Sequence, residues 1–157
     1  MRSPKALLTT IIIATAVFVC ALFAAEKRTA EITNIEGMAE VQVAGETKWE
    51  KAVTGSVLNE GDAVKTSDKS RLVLDIDGKG QAATVEVKEN SSLRLAELTA
   101  NPQTGSSRTL LDLAIGEVLI KAQKLKGDGS KFEVKTPTSV VGVRGTTFSV
   151  KVEAIEE

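Results

Sequence analysis

Arg71-Leu72-Val73-Leu74-Asp75-Ile76-Asp77-Gly78 is the stretch that decides the fold class. Leu72, Leu74 and Ile76 fall two residues apart, so an extended chain places all three on one face, the period of a half-buried strand. Asp77-Gly78 directly follows, and this dipeptide between alternating apolar runs is a strong hairpin signal. A second strand is therefore expected just beyond it, and Thr84–Val87 supplies one.

Working outward, the same grammar repeats. Upstream, Glu40–Val43, Val57-Leu58 and Ala63–Thr66 are short extended runs, separated by Ala44-Gly45-Glu46 and Asn59-Glu60-Gly61-Asp62. Downstream, Leu93–Leu98, Leu110–Leu113, Glu117–Ala122 and Phe132–Thr136 follow, with turns at Asn90-Ser91-Ser92, 101–107 and 127–130. Seven or more short strands with Gly/Asn/Asp/Ser turns predict an all-β domain, built as a rolled β-sandwich or a short irregular β-solenoid. Ile32 and Ile35 break strict alternation and give only a weak strand signal, residues 25–31 read as a charged linker, and Trp49–Val53 is a weak helical candidate.

Composition narrows the chemistry. The 157 residues suffice for one domain, and a 42% hydrophobic content with only 3% aromatics means a core of Val, Leu and Ile. Histidine is absent, which removes the commonest general base and transition-metal ligand. The one cysteine, Cys20, lies in the N-terminal apolar run, so the folded part holds neither a disulfide nor a thiolate. Ser139 and Thr146 have no histidine to activate them. No enzyme activity, cofactor or metal site is expected. Net charge is −1, and becomes −3 without residues 1–25, a poor match for nucleic acid.

Arg2 and Lys5 precede twenty uncharged residues, Ala6 to Ala25. A basic start and a long apolar run form either an export signal or a retained membrane anchor, in both cases an apolar helix. The chain thus divides into residues 1–25, signal peptide or anchor, and 26–157, one β-domain lying beyond the cytoplasm: periplasmic or extracellular, and under the anchor reading held at the inner membrane.

The C-terminal part carries the most distinctive sequence. Thr136-Pro137-Thr138-Ser139-Val140-Val141-Gly142-Val143-Arg144-Gly145-Thr146-Thr147-Phe148-Ser149-Val150 reads as two extended segments joined through Gly142–Gly145, a closing strand pair. Together with Gly55-x-x-Leu58-x-x-Gly61-Asp62-x-Val64-x-Thr66, Arg71-Leu72-x-Leu74 and Leu113-x-x-Gly116-x-Val118, it resembles the FecR domain family of bacterial envelope proteins over about residues 55–152. The family's namesake relays an outer-membrane transporter's state to a cytoplasmic sigma-factor regulator. Five residues ahead of Ala6 are too few for such a regulatory segment, so the resemblance implies a stand-alone extracytoplasmic domain without that relay.

Five residues are candidate partner-binding or structural positions. Arg144, held between Gly142 and Gly145, could fork onto a carboxylate or form an internal tie to Asp62 or turn carbonyls. Asp62 is the residue type that bonds its own turn backbone. Trp49 could anchor a protein or a sugar, or cap the core. Asp75-Ile76-Asp77-Gly78 lacks the remaining ligands of a calcium loop and reads as a hairpin turn. The functional expectation is a non-catalytic binding or adaptor module for another envelope protein or a cell-wall polymer. The alternative is a membrane-anchored subunit of a surface-signalling, iron-uptake-like system.

Overall fold

The computed structural model describes residues 26–78, 82–125, 127 and 129–153; the expected apolar helix within residues 1–25 lies outside them. Every regular element among the described residues is a strand. In chain order these are β1 (Glu26–Lys27), β2 (Ala30–Glu36), β3 (Ala39–Gln42), β4 (Glu50–Lys51), β5 (Val57–Leu58), β6 (Ala63–Thr66) and β7 (Arg71–Ile76). They continue with β8 (Ala83–Val87), β9 (Ser92–Asn101), β10 (Ser106–Ala122), β11 (Lys131–Lys135), β12 (Val140–Val143) and β13 (Thr147–Val152). The all-β reading holds, and the strands form one sheet curled into a half-barrel.

The sheet path runs β4-β3-β6-β9-β10-β8-β7-β2-β5. Its first and last strands are joined through residues 52–56, so the path must curl back on itself: a five-residue link reaches about 18 Å at most. Two halves face each other across the core. One contains β3, β4, β6, β9, β11, β12 and the start of β10; the other contains β2, β5, β7, β8, β13 and the end of β10.

The 17-residue β10 is the hinge of this arrangement. Leu110–Leu113 and Glu117–Ala122, expected as separate strands, are one strand that passes from the first half to the second. Ala114 is an extra residue between the pairs Leu113↔Leu93 and Ile115↔Ser92, a bulge that bends the strand. Gly116 follows at φ +94°, and a Cβ there would lie 2.5 Å from Ser91 Cα. Only glycine lets β10 turn this corner against Ser91.

Inside, Leu72, Leu74 and Ile76 of β7 are fully enclosed, as their spacing requires. They meet Ile32, Val64, Leu93, Leu95, Leu98, Leu111, Leu113, Ile120 and Val134 in one cluster, with Phe132 its largest side chain. Each such side chain contributes roughly 1.5–3 kcal/mol of transfer free energy, so a core that is aliphatic apart from Phe132 suffices.

Three local expectations are corrected. The weak alternation at Ile32 and Ile35 is a full strand, β2, whose register against β7 slips between Ile32 and Asn34; the bulge at Thr33 is what broke the period. Residues 26–31 are not a linker, because β1 pairs with β9 and β2 begins at Ala30. Trp49–Val53 is not helical; it contains β4, paired with β3.

Candidate functional site

The segments on either side of Gly142–Gly145 do not pair with each other. β12 pairs antiparallel with β11, whereas β13 crosses to the other half and pairs with the end of β10. The expected closing strand pair is therefore two edges, one on each half of the curled sheet. Their chemistry differs. β13 carries Lys151, which pairs with Glu153 at 2.6 Å. The segment from Thr136 through Val143 has no charge at all.

The free side of β12 follows from its turn. Thr136 N–H donates to Ser139 C=O at 2.8 Å, closing the hairpin around Pro137-Thr138. Hydrogen-bonded pairs alternate along an antiparallel ladder. With the register Val134↔Val141 and Phe132↔Val143, those two pairs exchange bonds with β11. The peptide groups of Val140 and Gly142 then point to the open side. No other strand pairs with β12 among the described residues. Val140 is 59% exposed and Val141 37%.

Arg144 stands at the end of this edge. It is exposed, and no hydrogen bond or ion pair holds its guanidinium among the described residues. A shallow cleft of about 360 Å3 runs between it and Lys131, Glu133 and Gly142. Gly142 leaves open space above the strand, since nothing lies within 4 Å of a Cβ built there. Gly145, at φ +75°, packs so closely that a Cβ would lie 2.8 Å from Lys124 Cα. Among the described residues, Lys131, Arg144 and the acid Glu133 line this cleft, and Lys124 abuts Gly145 beside it.

Asp62 does not tie Arg144. Its carboxylate is buried and accepts from Ala44 N–H and Asn59 N–H, both at 2.8 Å. It clamps its own turn to the neighbouring one. Gly142 and Arg144 are brought together, with Gly145 beside them; Asp62 and Trp49 lie elsewhere.

Trp49 does not cap the core. It sits half-buried on the outer face of the first half, with Lys65 Nζ 4.6 Å from its ring centroid. Lys65 is also paired with Glu40 at 2.8 Å. Beside the ring is a hollow of about 310 Å3 lined by Trp49, Ala63, Ser92, Arg94, Asp112 and Ala114.

Sequence reasoning passed over Arg28, a buried guanidinium with several partners. Only 8% exposed, it donates from Nε and Nη2 to the Asp77 carboxylate at 2.6–2.8 Å and from Nη1 to Thr109 Oγ1 at 2.8 Å. Asp77, at φ 66°, keeps its hairpin role and adds this ion pair. Asp75 accepts from Thr84 Oγ1. Among the described residues no group of three or more His, Cys, Asp or Glu could hold a metal.

On the outer face of the second half, Arg71 bridges Glu36 and Glu86, and Lys88 pairs with Glu86 at 2.6 Å. The hydrogen bond from Arg71 holds the Glu36 carboxyl below its ordinary value, and that from Lys88 does the same for Glu86. This cluster is a solvated ladder across β2, β7 and β8, and its acids are already occupied.

A family model described as FecR protein matches residues 62–156. No curated protein and no solved structure matches the chain.

Proposed function

The chain belongs to the FecR family, and from that premise we propose that it is a non-catalytic, extracytoplasmic binding module. Along β12 it accepts an extended, acidic segment of another envelope protein. The observation that carries this reading is the open side of β12, where the peptide groups of Val140 and Gly142 have no strand partner. Strand addition to such an edge supplies affinity through backbone bonds and specificity through flanking side chains. Arg144, Lys131 and Lys124 favour an acidic side chain near the Val143 end, and a guanidinium can hold a carboxylate with two parallel bonds. The absence of histidine from the sequence fits binding without catalysis.

Gly142→Pro tests it. Proline removes an N–H that faces the open side and leaves the bonds to β11 in place, a substitution edge strands tolerate. Crosslinking in intact envelopes should join a partner to the β11–β12 region of the wild-type chain and not to the proline variant. Recovery of the same partner by both proteins, or of none by either, overturns the reading.

Family membership supports a second reading, in which the module serves a cell-surface signalling system and Ala6–Ala25 anchors it to the inner membrane. Intact mass of the native protein tests this. A mature N-terminus near Ala25 or Glu26 excludes anchoring by that segment.

A further inference from the structure

We infer that the hollow beside Trp49 is a saccharide subsite that takes an N-acetylated pyranose of a cell-wall polysaccharide. The inference is independent of the β12 reading and shares with it only the extracytoplasmic location.

Trp49 is the only tryptophan, and it is used outside the core on a polar sheet face. Its ring is fixed from one direction by Lys65, whose ammonium is itself held by Glu40. Lys65 does not line the hollow, so the ring meets it with surface that the ammonium leaves uncovered. A fixed, partly open indole is a platform for the apolar C–H face of a sugar ring.

The floor is made by small residues. Ala63 and Ser92 come from β6 and β9, and Ala114 is the extra residue of the β10 bulge. Bulges re-aim side chains, and here the bulge puts a methyl group where larger side chains would fill the space.

Arg94 and Asp112 stand directly opposite each other on β9 and β10. They carry opposite charges, yet neither forms an ion pair or side-chain hydrogen bond among the described residues. Other charged pairs on the outer faces, such as Lys65–Glu40 and Arg71–Glu36, do close. The hollow therefore offers a planar donor and a two-oxygen acceptor, both uncommitted, beside an aromatic ring and two methyl groups.

An acetamido sugar matches these four features together. Its ring stacks on Trp49, its acetyl carbonyl accepts from Arg94, and its amide N–H or a hydroxyl donates to Asp112. Its methyl rests on Ala63, while Ala114, two strands away, borders the far side of the ring. A plain glucose ring satisfies the first and part of the polar set but has no methyl group for Ala63.

Tyrosine is absent and tryptophan occurs once, so tryptophan emission reports this site alone. The full exported chain is titrated with a soluble N-acetylglucosamine oligomer and, in parallel, with a glucose oligomer of the same length. A saturable change in Trp49 emission is expected with the amino sugar, and binding about tenfold weaker with glucose. Arg94→Ala and Asp112→Ala should each weaken the amino-sugar response about tenfold, because each removes a hydrogen bond to a charged group. Both positions lie on the outer face, so these variants carry the test even if Trp49→Ala fails to fold. The response should survive Gly142→Pro, which separates this site from the β12 edge. No saturable change below about 10 mM overturns the inference, that being weaker than useful avidity could recover. Equal affinity in wild type and both variants also overturns it, as the mark of unspecific stacking.

Discussion

The closed part of the curled sheet, along β10, and the open edge at β12 use the same two residue types, glycine and arginine, to opposite ends. At the corner, Gly116 has no room: Ser91 occupies the space a side chain would need. Toward the other end of β10, the buried Arg28 spends its guanidinium on Asp77 and Thr109. At the edge, Gly142 has open space above it and Arg144 has no partner among the described residues. Closure at one place holds the curled sheet together. Openness at the other leaves backbone and charge without a partner among the described residues.

The other end of the sheet sharpens the contrast. β4 and β5 are two residues each, β4 is Glu50-Lys51, and residues 52–56 link them. Short, charged and covalently joined strands are how a sheet blunts its edges. β12 has four residues, no charge and, among the described residues, no strand on its open side. An unprotected apolar edge is a liability unless a partner uses it.

The largest effect should come from the corner. Gly116→Ala forces a side chain into positive φ and against the Ser91 backbone, and should cost roughly 3 kcal/mol or more. Gly142→Ala should stay within about 0.5 kcal/mol. Chemical denaturation of the two variants reads this difference, and equal losses would break the comparison.

The arginines come next. Arg28→Ala leaves the Asp77 carboxylate without its partner and should cost roughly 2–3 kcal/mol, below a fully enclosed pair because Asp77 is partly exposed. Arg144→Ala should leave the denaturation midpoint unchanged and weaken partner capture. A stability loss at Arg144 as large as that at Arg28 would make it a structural tie.

Gly145 tests how far the open region extends. It borders the edge but abuts Lys124, so Gly145→Val should cost more than about 1 kcal/mol through positive φ alone. An unchanged melting temperature would place it with Gly142.

The smallest effect is electrostatic. Glu36 and Glu86 have carboxyls held below the ordinary 4.5 by Arg71 and Lys88. A depressed folded-state pKa contributes stability above the unfolded value, which is lost as pH falls through the folded one. Acid should therefore remove a small increment below about pH 4.5, and Arg71→Ala should flatten that part of the profile. The exposure of Glu36 and Arg71 keeps it small.

Much of the fold was legible locally. Leu72, Leu74 and Ile76 announced β7, and Asp77-Gly78 its hairpin, because alternation and turn chemistry are properties of neighbouring residues. β2 was obscured by its own bulge at Thr33, and Ala114-Ile115-Gly116 looked like a break because a corner and a turn use the same residues. Pairing over long separations left no local mark. Arg28 sits in a charged run, and nothing beside it points to Asp77 forty-nine residues away. Arg144 drew attention through its flanking glycines, but the division of β12 and β13 between two halves depends on where β10 and β11 lie.

Amide hydrogen exchange, resolved residue by residue, tests the central claim most directly. In the free chain the Val140 and Gly142 amides should exchange fast while Val141 and Val143 are protected. In complex with the crosslink-identified partner all four should be protected. Protection of Val140 and Gly142 already in the free chain, or their continued fast exchange in the complex, would contradict strand addition at β12.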